Sequence, residues 1–208
     1  MDFDLVPGGT GRNYTGILTK TIVYIGTLFL FLIATALTLA SINVPKWVSY
    51  HSEKPQFHYS YGLHRRCSSL TDTCDPFPQY EDCQGEDRYF CSMWRSIGFL
   101  MSFAVVLEGI ALVAYLVILS GGKQLRESGW GVLSVVIALS VAVQAASMGL
   151  VAYLFENDER FFVGWNLDIS WIFCTVSWFI SLVCAVAVVT AARILPSEGG
   201  YELIPDLS

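Results

Sequence analysis

Four apolar stretches, separated by polar connections, dominate the pattern of this chain. Each is about 20 residues long, the length that a helix needs to cross a hydrocarbon layer of roughly 30 Å. Charged residues are almost absent from all four. The pattern predicts four transmembrane helices, at Thr21–Ile42, Ile97–Leu119, Val132–Leu154 and Ile169–Ala192.

The predicted helices make one all-α transmembrane domain at 21–192, with short ends at 1–20 and 193–208. With four spans, the two ends of the chain lie on the same side of the membrane. The loops at 43–96 and 155–168 lie together on the opposite side. The first apolar run is longer than the core of a signal peptide, which has about 7–15 residues, so we expect it to remain as a membrane anchor.

Composition and charge narrow the class of protein. Of 208 residues, 54% are hydrophobic and 14% are charged, and the net charge is −6. The apolar content exceeds what a soluble core of this size needs, and an acidic chain is a poor partner for nucleic acid. The expected partners are membrane lipids and other membrane proteins.

Cysteines orient the chain better than its Lys and Arg residues do. Four of the six cysteines lie in the loop at 43–96, namely Cys67, Cys74, Cys83 and Cys91. An even number of cysteines in one loop is typical of a disulfide-bonded extracytoplasmic module. We therefore expect this loop to face outward and both termini to be cytoplasmic. The expected location is the plasma membrane, with another membrane of the secretory pathway as the alternative. Four cysteines allow three pairings, and the residues alone do not choose among them.

Metal binding and catalysis find little support. His51, His58 and His64 share the cysteine-rich loop, but no C-x-x-C or H-x-x-x-H pair brings ligands together. The chain also lacks G-x-S-x-G and H-E-x-x-H. The sequence predicts no metal site, no cofactor, no catalytic residue and no enzyme activity.

The long loop contains a strand pattern. Apolar residues at Phe57, Tyr59, Tyr61 and Leu63 alternate with polar or small ones, the period of a strand with one apolar face. This predicts a small sheet in the loop. Its apolar face needs a cover, which other strands, the membrane surface or a partner protein could supply.

Trp47 early in the loop, followed by Gly62-Leu63-His64-Arg65-Arg66-Cys67, resembles the claudin and peripheral-myelin-protein superfamily of tetraspan proteins. That signature is a Trp, then Gly-Leu-Trp, two residues, a Cys and a second Cys about ten residues later. Here His64 stands at the second Trp, and Cys74 follows after six residues. The resemblance is to a distant branch, such as the fungal eisosome or PalI-like proteins.

The resemblance implies a left-handed four-helix bundle with a disulfide-stapled extracellular sheet in the first loop. Cys67 would pair with Cys74 or Cys83 and clamp two strands, and Trp47, Gly62, Leu63 and Cys67 would form the centre of the loop. The implied function is non-catalytic: organising a plasma-membrane domain or cell-surface and adhesive contacts.

Two polar residues inside the predicted bilayer offer a different function. Glu108 lies midway along the second span, where an ionised carboxylate would cost several kcal/mol, so we expect it to be protonated or partnered. Gln144 lies at a similar depth in the third span and is the expected hydrogen-bond partner. The alternative function is an auxiliary subunit of a transporter, channel or sensor that uses buried Glu108.

Small residues recur every four positions on the third span, at Ser134, Ala138, Ala142 and Ala146. Such a stripe lets another helix approach closely. It predicts a packing seam within the chain, with an assembly face between copies of the chain as the alternative.

Aromatic residues mark the ends of the spans. Single tryptophans lie just outside each run, where we expect contact with lipid headgroups: Trp47, Trp94, Trp130 and Trp165. The second loop mixes aromatic and acidic residues. It would either rest at the membrane interface or contact an opposing surface: Phe155, Glu156, Asp158, Glu159, Phe161, Phe162 and Trp165.

Overall fold

The structure, a computed structural model, describes residues 20–53, 56–85, 88–121, 125 and 127–195. Four long helices lie in this part of the chain: α1 (Lys20–Asn43), α2 (Arg88–Ser120), α3 (Trp130–Asn157) and α4 (Ile169–Ile194). Each is long and apolar enough to cross a membrane, which confirms the four predicted spans at that level. The ends predicted at 1–20 and 193–208 lie outside the described residues, apart from residue 20 and residues 193–195.

Helix α2 is much longer than the apolar run that predicted it. It begins at Arg88 instead of Ile97, and its 33 residues span about 50 Å at 1.5 Å per residue. A hydrocarbon layer of roughly 30 Å covers only part of that length, so the first turns of α2 stand outside it. Arg88 and Arg95 interrupt the apolar run, which is why the sequence pattern missed these turns.

The four helices pack as a closed ring, in which each contacts its chain neighbours and α1 also contacts α4. Inward-facing positions recur with alternating steps of four and three residues in every helix. In α1, for example, they are Lys20, Tyr24, Thr27, Phe31, Ala34, Thr38 and Ser41. Many of these buried residues are small or hydroxylic, whereas the outer faces expose large apolar side chains such as Phe29 and Val113. A lipid solvent favours this arrangement, because polar groups must find their partners inside the protein.

The stripe of small residues on α3 lies on the outside of the bundle. Ala138, Ala142 and Ala146 are exposed, and Ser134 is half-buried. A step of four residues advances 400° and drifts around the helix, away from the alternating four-and-three pattern that α3 buries. The predicted packing seam within the chain is therefore wrong.

A five-stranded antiparallel sheet caps one end of the bundle. Four strands come from the loop between α1 and α2: β1 (Val48–Glu53), β2 (Gln56–Tyr61), β3 (Arg65–Ser68) and β4 (Thr73–Pro76). The fifth, β5 (Trp165–Leu167), comes from the connection between α3 and α4 and pairs with β1. The strand order is β4-β3-β2-β1-β5. The predicted sheet is confirmed, and it unites both loops on this side of the bundle.

One face of the sheet is aromatic. Tyr50 stands opposite Tyr59 on β2 and Trp165 on β5, so these rings share a face with Tyr61. Tyr61 in turn contacts the ring of Trp94 on α2, with a distance of 6.3 Å between ring centroids. The apolar face that the sequence predicted is thus covered by the protein's own helix end and second connection.

The four cysteines that were predicted to form disulfides are joined in two bridges. Cys67 and Cys74 join β3 to β4, with 4.2 Å between their Cα atoms. Cys83 and Cys91 join a short 3₁₀ helix (Glu81–Cys83) to the first turn of α2, with 5.6 Å between Cα atoms. The structure thus has one of the three pairings that the residues left open. Of the two partners that the resemblance implied for Cys67, the one found is Cys74, which is nearer in the sequence.

The three histidines of the loop do not gather into one site. His51 and His58 stand opposite each other on β1 and β2, with ring centroids 6.1 Å apart. His64 follows β2, and its ring lies against Gly98 of α2. Within the described ranges, no three His, Cys, Asp or Glu residues are grouped as a metal ion would need.

Candidate functional site

A polar cluster occupies the middle of the helix bundle. It takes one residue from each helix: Thr38 of α1, Glu108 of α2, Gln144 of α3 and Ser177 of α4. All four side chains are fully buried. Each lies at an inward-facing position of its helix, so the packing of the bundle brings them to one level. We call these four residues the central cluster.

One carboxyl oxygen organises the central cluster. Oε1 of Glu108 accepts hydrogen bonds from Oγ1 of Thr38 at 2.9 Å and from Nε2 of Gln144 at 2.5 Å. The Thr38 and Ser177 hydroxyl oxygens lie 2.7 Å apart, and both are within hydrogen-bond distance of the Ala34 carbonyl. The network therefore links all four helices at one level.

Only two of the four residues of the central cluster, Glu108 and Gln144, were expected from the sequence. The structure brings Glu108 and Gln144 together, as the similar depth of the two residues suggested. Thr38 and Ser177 were missed, because Ser and Thr are common in membrane helices and usually bond to their own helix backbone. The signal that could have found them is the four-and-three spacing, which places both on inward faces.

Two acceptors of the central cluster have no partner among the described residues: Oε2 of Glu108 and Oε1 of Gln144. The hydroxyls of Ser140 and Ser181, each one helical turn from the cluster, are also unpartnered within that part of the chain. No basic side chain of the described ranges forms an ion pair with Glu108.

A buried carboxylate without a cation costs several kcal/mol unless a proton, an ion or a donor compensates it. Chemically, the central cluster can hold a proton or accept a donor at Oε2 of Glu108.

Trp47 lies inside the protein. Its ring is fully buried, and Nε1 donates a hydrogen bond to the Ser41 carbonyl at 2.8 Å. Its backbone N–H donates to the Tyr61 carbonyl at 2.8 Å, which ties the end of α1 to β2. Trp94 is also fully buried. The predicted headgroup contact is wrong for these two residues, because the sheet covers the helix ends from which they come.

Gly62 and Leu63 complete the junction between the sheet and the helices. The Gly62 carbonyl accepts a hydrogen bond from Nε1 of Trp94 at 3.1 Å. A side chain at Gly62 has no room, because its Cβ would overlap Pro45. Leu63 is buried. Cys67, the fourth signature residue, lies on β3 and is bonded to Cys74 on β4.

Trp94 is the junction residue that the motif did not contain. Its ring stacks on Phe90, with centroids 5.4 Å apart, and contacts Phe161 from the second connection at 6.4 Å. His64, which stands where the signature has a Trp, is exposed. Helix α2 therefore supplies, through Trp94, a buried indole at the junction of sheet and helices. The sequence feature that could have identified Trp94 is its place one turn before the apolar run that begins at Ile97.

The second connection contributes mainly to the interior. Phe161 and Trp165 both contact the Tyr61 ring, with centroids 6.1 and 5.5 Å away. Phe162 and Val163 remain exposed, at 59% and 97%. The surface available to a partner in this loop is thus smaller than its aromatic content suggested.

Tyr61 behaves as a packing residue. Burial and the neighbouring Tyr59 raise the pKa of the Tyr61 phenol well above its usual range. The phenol therefore stays neutral at physiological pH and serves the aromatic face of the sheet.

No family model matches the chain, and no curated protein matches it significantly.

Proposed function

We propose that this chain is a non-catalytic multi-pass membrane protein that organises a plasma-membrane domain, or cell-surface and adhesive contacts, through its sheet. The observation that carries the proposal is the union of both loops in one disulfide-bonded sheet, fixed to the helices through Trp47 and Trp94. A surface held this firmly suits recognition, since little ordering entropy is lost when a partner binds.

The proposed topology puts the sheet outside the cell and both termini in the cytoplasm. Two disulfides in one loop support this, because disulfides persist in oxidising compartments. A left-handed bundle is the matching proposal for the helices. The alternating steps of four and three buried residues support it, since a 3.5-residue repeat favours left-handed supercoiling.

Membership of the claudin and peripheral-myelin-protein superfamily is part of the same proposal. Its support is that Trp47, Gly62 and Leu63 converge at the junction of sheet and helices, while Cys67 is bridged across neighbouring strands. These signature residues hold the loop and the helices together, which is the role that the resemblance implies for them.

The test compares lateral confinement of the full chain with that of two variants in cell membranes. Leu70→Ser with Val163→Ser changes two apolar side chains of the sheet-bearing loops that are 73% and 97% exposed. Val113→Ala, on the outer face of α2, is the control. We expect single-molecule tracking to show confinement for the wild type and the control, and free diffusion for the loop variant. Equal confinement of all three proteins would refute a sheet-based role.

A second function, an auxiliary subunit of a transporter, channel or sensor, is favoured by Oε2 of Glu108, which has no hydrogen-bond partner among the described residues. Such a role needs a group that changes charge, so Glu108→Gln should abolish the partner's response to pH or ions at a normal surface level. A purely structural Glu108 predicts that the Gln variant keeps partner activity. Paired measurement of surface level and transport separates the two functions.

A further inference from the structure

A cleft of about 960 Å³ lies beside the first turns of α2, between this helix and the preceding connection. The connection supplies Tyr80 and Cys83 to the lining, and α2 supplies Arg88, Cys91 and Arg95 on the opposite wall. The Cys83–Cys91 disulfide fixes the distance between the two walls, because it joins the connection covalently to the helix.

The helical wall of the cleft has a polar end and an apolar end. Arg88, Ser92, Arg95 and Phe99 follow one another at intervals of four, three and four residues, which places them on one face of α2 within about 60°. All four are exposed, and Phe99 is 70% exposed. The face thus offers two guanidinium groups, a hydroxyl between them and a phenyl ring below.

The charge of the two guanidinium groups is not balanced by the described residues around them. Neither Arg88 nor Arg95 forms an ion pair there, and Nη2 of Arg95 lies 3.9 Å from Sγ of Cys83. The lining contains no described Asp or Glu. Asp82, in the adjacent 3₁₀ helix, is paired with Arg66 at 2.7 Å. Within the part of the chain that the structure describes, the charged groups that line the cleft are the two guanidinium groups, which suit an anion.

The position of the cleft along α2 identifies the kind of anion. Arg95 is the last charged residue before the apolar run that begins at Ile97, and Phe99 and Leu100 of the lining belong to that run. The cleft thus straddles the boundary between headgroups and hydrocarbon. A ligand that fits both ends has an anionic head and an apolar tail.

We propose that this cleft binds the phosphate group of a membrane phospholipid in the leaflet next to the sheet. Arg88 and Arg95 are about 10 Å apart along the helix, so both side chains can converge on one phosphate near Ser92. Guanidinium groups bind phosphate through paired, charge-assisted hydrogen bonds. The acyl chains then follow the exposed Phe99 face into the hydrocarbon. This inference does not depend on the proposed function.

The experiment measures lipid binding to the full-length, oxidised protein by native mass spectrometry. The probes are a phosphatidic acid, the diacylglycerol with the same acyl chains, and inorganic phosphate. We expect the phosphatidic acid to bind at least about tenfold more tightly than the diacylglycerol, the factor that a lost charge-assisted bond removes. Arg88→Gln with Arg95→Gln should abolish this preference. Arg65→Gln, an exposed arginine on β3, is the matched control and should keep it.

Phe99→Ala separates a lipid from a free anion. We expect it to weaken phosphatidic acid binding and to leave inorganic phosphate unaffected. Inorganic phosphate that binds as tightly as the lipid, with no effect of Phe99→Ala, would overturn the proposal of a lipid ligand. Equal phosphatidic acid binding by the double Gln variant and the control would overturn the site itself. If the double Gln variant does not fold, Ser92→Leu obstructs the cleft with both charges retained and should cause the same loss.

Discussion

Replacing Glu108 by Leu tests whether the central cluster holds the four helices together. The change removes the oxygen that accepts from Thr38 at 2.9 Å and from Gln144 at 2.5 Å. Thr38 keeps three other neighbours within hydrogen-bond distance: the Ala34 carbonyl, the Ser177 hydroxyl and Nε2 of Gln144. The main loss therefore falls on the buried amide of Gln144, which gives up its shorter bond and keeps only the one to Oγ1 of Thr38 at 3.2 Å.

The magnitude follows from the cost of an unsatisfied buried donor, about 1–3 kcal/mol. Interhelical polar contacts in membranes are worth about 0.6 kcal/mol on average and up to about 1.7. We expect Glu108→Leu to lower the free energy of unfolding by about 1–3 kcal/mol. Glu108→Gln keeps an acceptor in nearly the same volume and should cost less than about 1 kcal/mol.

A double-mutant cycle isolates the pair. Gln144→Leu alone leaves Glu108 with one donor fewer, whereas Glu108→Leu with Gln144→Leu leaves neither group unpaired. The double variant should therefore lose less stability than the sum of the two single variants. The assay is reversible unfolding in mixed micelles, with Val113→Leu on the outer face of α2 as the control. Additive losses, or a Glu108→Leu variant as stable as the control, would refute a joint role in holding the helices.

Gly62→Ala should lower the free energy of unfolding by about 1–3 kcal/mol, because its methyl group would overlap the chain after α1. Gly109→Ala, with open space around it on α2, should leave the free energy of unfolding unchanged or raise it by up to about 1 kcal/mol. Equal effects of the two variants in thermal unfolding would contradict this. Cys83→Ser should cost about 2–3 kcal/mol by opening the short loop to Cys91, and reducing agent should abolish the difference from wild type in denaturant unfolding. Ala142→Leu should change stability by less than about 0.5 kcal/mol because Ala142 is exposed, and a loss above 1 kcal/mol in the same assay would show that α3 packs differently.

The membrane helices could be predicted from sequence because lipid imposes a length of apolar chain that few other environments require. Their inner faces could not be predicted from hydrophobicity, since both faces of such helices are apolar. Ser177 and Ala142 illustrate this: the hydroxyl is buried, while the alanine methyl faces outward. The recurrence of small residues every four positions therefore predicted the wrong face of α3 as the buried one.

The sheet was predicted in part for a similar reason. Alternation over Phe57–Tyr61 located β2, because one of its faces is apolar. Strand β5 has only three residues, Trp165–Leu167, too few for a period to be recognised. Disulfide pairing also escaped the sequence, since it depends on which strands are neighbours, and β3 and β4 become neighbours only in the fold.

Strand β5 can complete the sheet only late in biosynthesis, after the first three helices have been translated. Until residues 165–167 have been translated and returned to the same side of the membrane, β1 has a free edge along Val48–Tyr50. An open edge can pair wrongly with other chains, so a nascent protein halted after two or three helices is exposed to misassembly and to chaperones that bind unpaired strands. The backbone N–H of Asp168 then donates to the Trp47 carbonyl at 3.0 Å, directly before α4 begins. The sheet is therefore complete only when translation has reached the start of α4, and its unpaired edge is closed at that point.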